Sequence, residues 1–127
     1  MERTCILLVD NHPEVLIQIE KCLSYEEDLK VCKVSSLSEV TESINECKPD
    51  ILLIDPYVDN VFDYDTIRVA KQIIPFMTVI VLTAVVDSAT QVELRRAGAE
   101  YILEKSIDSQ ELKDTIRKVI ARKHQRD

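Results

Sequence analysis

Five short apolar runs alternate along the chain with segments in which apolar residues recur three or four positions apart. Unbroken apolar runs are typical of strands buried on both faces of a parallel sheet, and the spaced positions are typical of amphipathic helices. The predicted strands are residues 5–9, 29–34, 51–55, 77–83 and 100–105. Lys30 and Lys33 interrupt the second run, which predicts that it lies at an edge of the sheet.

The first three helices are marked by their ends. Pro13 suits the first turn of a helix whose apolar positions continue to residue 23. Ser36 and Glu39 have the spacing of a capping box at the start of the second helix. Residues 56–65 are polar and rich in aspartate, which predicts a loop, and the third helix ends before Pro75.

The last two helices are also delimited by their flanking residues. Gly98, the only glycine in the chain, suits a helix end that requires a positive φ, after a weakly amphipathic helix over residues 87–97. Asp108, with Glu111 three residues later, predicts a capping box at the start of the fifth helix.

Strands that alternate with helices predict an α/β fold with right-handed crossovers between parallel strands. For five strands we expect one doubly wound parallel sheet in the order 2-1-3-4-5, as in flavodoxin-like folds, with five helices. Residues 1–127 are therefore interpreted as a single domain. This order places strands one and three side by side, so that Asp10 and Asp55 meet at one end of the sheet.

Composition and charge narrow the classes of function. The chain is 46% hydrophobic and 31% charged, as in folded globular domains. A formal charge of −7 argues against nucleic-acid binding by this domain alone, because such binding depends on Lys and Arg contacts to phosphates. No apolar segment reaches the ~20 residues of a membrane span, and the N-terminus lacks a signal-peptide pattern, so we expect a cytoplasmic protein without a membrane partner.

Cysteine and histidine give no strong metal signal. The four cysteines are scattered without a Cys-x-x-Cys pair, so we expect free thiols that pack as small hydrophobic side chains. His12 and His124 are too far apart in sequence to indicate a zinc site. His12 is interpreted as a polar residue ahead of the Pro13 turn.

Five polar residues end or follow the predicted strands at the carboxyl edge of the sheet. Asp10, Asn11 and Asp55 offer two carboxylates and an amide oxygen, a set that suits Mg²⁺. Thr83 adds a hydroxyl donor and Lys105 a compact positive charge. These groups suit phosphoryl transfer with a carboxylate as the nucleophile.

On these motifs the sequence resembles the receiver domains of two-component response regulators, from residue 5 to about residue 121. The matching motifs are Val9-Asp10-Asn11-His12-Pro13, Asp50-Ile51-Leu52-Leu53-Ile54-Asp55, Thr83-Ala84, Ala97-Gly98-Ala99 and Lys105-Ser106. The His-Pro pair and the Ser after Lys105 are similar to receivers that precede helix-turn-helix output domains of the LuxR type.

The resemblance implies a role for each residue of the site. Asp55 resembles the phosphorylated aspartate, Asp10 and Asn11 the metal-binding pair, and the carbonyl of Tyr57 a further ligand of Mg²⁺. Thr83 and Lys105 resemble the hydroxyl and the lysine that contact the phosphoryl group.

The resemblance also implies partners. A sensor histidine kinase would donate the phosphoryl group, and the domain would catalyse only its own phosphorylation and dephosphorylation. The domain would thus act in signalling and would not be an enzyme with a substrate of its own. A DNA-binding output domain or a partner protein would read the state and control transcription, and no output domain is expected within residues 1–127. A phosphorylation-dependent homodimer is a further expectation.

Three departures from the receiver pattern carry predictions. Asn11 replaces the usual second acidic residue, which predicts weaker binding of Mg²⁺. The loop after Asp55 lacks the usual Met-Pro and Gly and should have a different shape. Ile102 stands where an aromatic residue is usual, and strand alternation should direct the neighbouring Tyr101 to the opposite face.

Two other functions are considered beside phosphorylatable signalling. The second hypothesis is a receiver-like module that binds proteins without phosphorylation. The third, a flavodoxin-like or nucleotide-binding enzyme, is disfavoured by the single glycine and the missing Gly-rich phosphate loop.

Tyr57 and Val85, two residues beyond Asp55 and Thr83, are predicted to hinder the attacking water and so to lengthen the lifetime of the phosphorylated state.

Overall fold

A five-stranded parallel sheet forms the centre of the computed structural model, which describes residues 3–84 and 86–125. The strands of the sheet are β1 (Thr4–Val9), β2 (Leu29–Val34), β3 (Ile51–Ile54), β6 (Thr78–Thr83) and β7 (Ala99–Glu104), and two shorter strands, β4 (Tyr57–Val58) and β5 (Val61–Phe62), form a separate hairpin. The strands of the sheet lie in the order β2-β1-β3-β6-β7. Without the hairpin, this order is the predicted 2-1-3-4-5 arrangement.

Burial explains why these segments became strands. Every residue of β3 and β6 is buried, as expected for central strands that helices cover on both faces. β2 is less buried, with Lys30 and Lys33 exposed, and it lies at the edge of the sheet, so the prediction from these two lysines is confirmed.

Five α-helices in the described part of the chain cover the two faces of the sheet, as predicted. The helices are α1 (Pro13–Leu23), α2 (Val40–Cys47), α3 (Tyr64–Ile73), α4 (Ser88–Ala97) and α5 (Ser109–Gln125). Buried side chains of α1 and α5 pack with one face of the sheet, and those of α2, α3 and α4 pack with the other. The carboxyl ends of the parallel strands lie together at one edge of the sheet, where open α/β folds place their sites.

The predicted capping signals are right for α5 and wrong for α2. The Glu111 N–H donates to Asp108 Oδ1 at 2.8 Å, as predicted. At Ser36 the hydroxyl instead accepts from the Ser38 N–H at 3.3 Å, and the Glu39 N–H donates to the Ser36 carbonyl. The chain enters α2 through a tight 3₁₀ turn (Leu37–Glu39), whose i→i+3 bonding replaces the capping box.

The segment predicted as a loop over residues 56–65 contains a β-hairpin and the start of α3. β4 (Tyr57–Val58) pairs antiparallel with β5 (Val61–Phe62). Asp59 and Asn60 between them both have positive φ, 52° and 65°, as a two-residue hairpin turn requires. Asp and Asn tolerate this conformation better than other side chains, so the turn forms without glycine. The prediction of a loop without regular structure over residues 56–65 is therefore wrong.

Gly98 ends α4 with φ 130°, as predicted, and its N–H donates to the Leu94 and Arg95 carbonyls.

An ion pair connects α5 to the segment before β2. Arg117 of α5 pairs with both carboxylate oxygens of Asp28, at 2.5 and 2.8 Å, and with Glu26 at 3.2 Å. The middle of α5 is thereby attached to the segment that enters β2.

All four cysteines are free, as expected. Within residues 3–84 and 86–125, no helix combines the length and apolarity needed to cross a membrane.

Candidate functional site

Asp10 and Asp55 lie side by side at the carboxyl edge of the sheet. They directly follow β1 and β3, which are neighbouring strands with Val9 opposite Ile54. The Asp55 N–H donates to the Val9 carbonyl at 2.9 Å, which extends the pairing to the site itself. Both aspartates are only 3% exposed. Two buried carboxylates at the ends of neighbouring strands require a compensating cation.

Lys105 provides that positive charge. Its Nζ lies 2.8 Å from Asp10 Oδ2 and 2.6 Å from Asp55 Oδ2. The Lys105 N–H also donates to the Thr83 carbonyl at 2.9 Å, so the backbone after β7 stays paired with β6 up to the site. Burial lowers the pKa of Lys105, but hydrogen bonds and charge from Asp10 and Asp55 outweigh it, so its pKa lies above the ordinary value. The lysine is held as an ammonium.

Thr83, the last residue of β6, is fully buried, and its hydroxyl has no hydrogen-bond partner among the described residues. A buried hydroxyl without a partner costs free energy, which makes Thr83 Oγ1 a donor available to an incoming group. Val85, the other residue predicted to influence the site from this loop, lies outside the described residues.

Tyr57 and Asn11 occupy different positions at the rim. The Tyr57 N–H donates to Asp55 Oδ1 at 3.0 Å, and its ring packs on Phe62 with centroids 4.7 Å apart. Asn11 is exposed beside Asp10. The hairpin thus orients Asp55 through the backbone of its first strand.

His12, interpreted from the sequence as a polar residue ahead of the Pro13 turn, also contacts the site. Its Nδ1 lies 2.9 Å from Asp10 Oδ1, and its backbone N–H donates to the same oxygen at 2.9 Å. One ligand atom each from Asp10, His12 and Asp55 lies within 4.8 Å of the others. The available signal was the spacing Asp-x-His, because an aspartate often accepts a hydrogen bond from the N–H two residues later.

The prediction that Tyr101 and Ile102 point to opposite faces of the sheet is confirmed. Tyr101 packs with the layer of α1 and α5, where its hydroxyl accepts from Arg122 Nη1 at 2.7 Å. Ile102 packs with the opposite layer of α2, α3 and α4. Strand alternation separates the two side chains as expected.

The donor set fits a hard divalent cation. Lys105 contacts the Oδ2 atoms of Asp10 and Asp55. Among the described residues, the Oδ1 atoms accept from backbone N–H groups, and Oδ1 of Asp10 also faces the His12 ring. A carboxylate oxygen can accept more than one partner, so these Oδ1 atoms retain capacity for a ligand bond. Two carboxylates at an open strand edge are the ligands that Mg²⁺ prefers.

A doubly wound 2-1-3-4-5 sheet with two buried aspartates and a lysine at its carboxyl edge defines a receiver-type signalling domain. The chain belongs to the response regulator receiver domain family, which matches residues 6–117. Receiver domains of response regulators are signalling domains of two-component systems, and an acidic Mg²⁺ site is a feature of the family.

Curated relatives include response regulators of staphylococci. The chain is 27% identical over 114 residues to the response regulator protein VraR of Staphylococcus aureus (strain NCTC 8325 / PS 47). It is 26% identical over 114 residues to VraR of Staphylococcus epidermidis (strain ATCC 35984). Each match covers 89% of this chain and 54% of the relative. The chain therefore spans about half the length of the curated relatives that it matches.

Solved structures share the whole fold. A response regulator receiver domain from Clostridium thermocellum has a TM-score of 0.85 at 27% identity, covering 98% of this chain and 99% of that one. A LuxR-family two-component response regulator from Aurantimonas sp. SI85-9A1 has a TM-score of 0.84 at 24% identity, with coverage of 94% and 86%. The CheY-like receiver domain from Methanospirillum hungatei has a TM-score of 0.88 at 18% identity, with coverage of 99% and 100%. The last two show the likeness of the fold alone.

Proposed function

We propose that this chain is a phosphorylatable receiver that accepts a phosphoryl group on Asp55 from a sensor histidine kinase, with Mg²⁺ bound by Asp10, Asn11, Asp55 and the Tyr57 carbonyl. The observation that supports it most directly is the contact of Lys105 Nζ with Asp55 Oδ2 at 2.6 Å, beside the second carboxylate of Asp10. This arrangement combines a carboxylate nucleophile with a fixed positive charge.

The transfer requires one bond to form and one to break. An Asp55 oxygen bonds to phosphorus while the bond between phosphorus and the donor nitrogen of the kinase histidine breaks, and that nitrogen keeps the electron pair. Lys105 would neutralise charge on the phosphoryl oxygens, and the Thr83 hydroxyl, which has no hydrogen-bond partner among the described residues, would donate to them. Bound Mg²⁺ supplies further charge neutralisation.

The test is phosphorylation of the purified chain by a small phosphoryl donor. On incubation with acetyl phosphate and MgCl₂, we expect the intact mass to increase by one phosphoryl group. Asp55→Asn should abolish the increase, whereas Asp59→Asn, at an exposed aspartate of the neighbouring hairpin turn, should retain it. An unchanged mass in the wild-type chain would refute the proposal.

A second candidate function is a receiver-like module that binds proteins without phosphorylation. The exposed amide of Asn11, at a position where the family carries a carboxylate, favours it, because a neutral ligand weakens Mg²⁺ binding. In that case Lys105 would act as a permanent counter-ion for Asp10 and Asp55. The same mass measurement separates the two candidates.

The wider setting is part of the proposal. Because the matched segment makes up only 54% of the length of the relatives, we propose that residues 1–127 act as one receiver domain that controls a DNA-binding output domain or a partner protein in transcription. The LuxR-family neighbour has a related fold and supports this assignment only by analogy. We place the exchange with the kinase in the cytoplasm and include a phosphorylation-dependent homodimer among the states to test.

A further inference from the structure

We propose that His12 is a ligand of the metal bound at Asp10 and Asp55, and that it shifts the preference of the site from Mg²⁺ toward first-row transition-metal dications such as Ni²⁺. The inference concerns the metal site of the proposed function and deepens that function. It assigns a binding role to a residue outside the acidic pair.

The distances suit ligands of a single ion. Two ligand atoms at right angles on an octahedral ion, each with a bond of about 2.1 Å, are about 3.0 Å apart. His12 Nδ1 and Asp10 Oδ1 are 2.9 Å apart. The third group, Asp55, also has a ligand atom within 4.8 Å of both. His12 and Asp10 thus already have the spacing of two ligands of one ion, and Asp55 lies near enough to join them by moving toward the ion.

Lys105 does not block this side of the site. Its ammonium contacts the Oδ2 atoms of Asp10 and Asp55, whereas His12 Nδ1 faces Oδ1 of Asp10. Each aspartate therefore uses one oxygen for the lysine and keeps the other for a different partner. A cation can join His12 to Asp10 without displacing Lys105.

The chemistry of the ligands sets the preference. Mg²⁺ binds oxygen ligands and gains from carboxylate charge, so the neutral amide of Asn11 makes the site poorer for Mg²⁺. Imidazole is a good ligand for Ni²⁺, Zn²⁺ and Cu²⁺, and affinity rises along the series toward copper. The His12 side chain is 51% exposed, so its ring can be reached by a hydrated cation from solvent.

A competing interpretation assigns His12 the role of orienting Asp10 through a hydrogen bond. An orienting residue affects every metal that Asp10 binds, and its loss weakens Mg²⁺ and Ni²⁺ together. A direct ligand affects chiefly the metal that favours nitrogen. The ratio of the two affinities therefore separates the roles.

The experiment is isothermal titration of the untagged chain with NiCl₂ and with MgCl₂, for the wild type, His12→Gln and His124→Gln. His124 is the only other histidine in the sequence and is exposed near the end of α5, which makes it the matched control. We expect the wild type to bind Ni²⁺ more tightly than Mg²⁺. His12→Gln should lose at least about tenfold in Ni²⁺ affinity with less than about a twofold change for Mg²⁺, and His124→Gln should match the wild type.

Equal losses for both metals in His12→Gln, or no loss for either, would overturn the proposal. Ni²⁺ affinity that survives Asp10→Asn would also overturn it, because binding would then lie elsewhere, for example at the thiols. Thermal melts of each variant establish that it is folded. Phosphorylation of the wild type by acetyl phosphate is measured separately. If the wild type is phosphorylated but His12→Gln shows no selective loss of Ni²⁺ affinity, only the role of His12 is refuted. If His12→Gln shows that selective loss but the wild type is not phosphorylated, only the phosphoryl chemistry is refuted.

Discussion

Lys105 Nζ lies 2.6 Å from Asp55 Oδ2, although β6 separates the strands that carry the two residues. The lysine side chain crosses the end of β6 and reaches Asp10 Oδ2, 2.8 Å away, as well. One ammonium therefore compensates two buried carboxylates that belong to neighbouring strands. Lys105 thus links the two carboxylates electrostatically at the carboxyl edge.

Lys105→Ala should slow phosphorylation by acetyl phosphate by roughly 10²-fold, because it removes a fixed charge from the transferred group. The rate is measured from the time course of the intact mass. Lys118→Ala, which removes an exposed charge of α5, is the control and should leave the rate unchanged. An equal rate in Lys105→Ala and the wild type would exclude a catalytic role for the lysine.

Tyr57→Asn should accelerate loss of the phosphoryl group severalfold, if the bulk of Tyr57 hinders the attacking water. Tyr57 is the first residue of the hairpin beside Asp55, and its ring packs against Phe62. This packing restricts movement of the ring away from Asp55. The half-life of the phosphorylated chain is followed after removal of acetyl phosphate. Tyr25→Asn, at a largely exposed tyrosine between α1 and β2, provides the control. An unchanged half-life would refute the hypothesis.

Asp28→Asn should lower the free energy of unfolding by about 1 kcal/mol near neutral pH, a value reduced for solvent screening because Asp28 and Arg117 are 30% and 40% exposed. A hydrogen bond from Arg117, ahead of its charge, holds the pKa of Asp28 below the ordinary value of 3.8. The stabilisation is therefore present above pH 3.8 and is lost as the pH falls through the lower pKa of the folded state.

Urea denaturation of the wild type and Asp28→Asn at several pH values measures this difference. The two curves should converge at acidic pH. A difference that stays constant over the whole range would show that the ion pair is not its source.

Gly98→Ala should destabilise the domain by at least about 1 kcal/mol. The backbone at Gly98 has φ 130°, and an added Cβ would lie 2.7 Å from Lys71 Cγ. Lys71 cannot easily move, since its Nζ donates to the Pro75 and Met77 carbonyls and pairs with Glu100.

A double-mutant cycle with Lys71→Ala separates the two causes, with stability measured by urea denaturation. The cost of Gly98→Ala should be smaller in the Lys71→Ala background, where only the backbone strain remains. Equal costs in both backgrounds would rule out the steric contribution.

The sheet and the position of its site could be predicted because both follow from patterns along the chain. Unbroken apolar runs identified the central strands, and Asp10, Asp55 and Lys105 were each recognised by their place at a strand's end. Adjacent parallel strands bring such residues to one edge, whatever their separation in sequence. The structure places these three side chains together, and the roles assigned to them remain predictions.

The hairpin and His12 could not be predicted from the same patterns. β4 and β5 have two residues each, too few to show alternation, and Asp59-Asn60 lacks the glycine that usually marks such a turn. His12 joins the site because the Asp10 carboxylate accepts from the His12 N–H and turns the ring toward itself. Contacts of this local kind have no periodic signature.

The attachment of Arg117 to Asp28 and Glu26 has a consequence for how a signal could travel. Arg117 lies near the middle of α5, and both of its partners belong to the segment before β2, at the opposite end of the sheet from Asp55. A rigid swing of the whole helix would break this bidentate pair. We therefore expect the displacement of α5 to be greatest in its first turns, after Lys105, and least beyond Arg117, where the helix is attached.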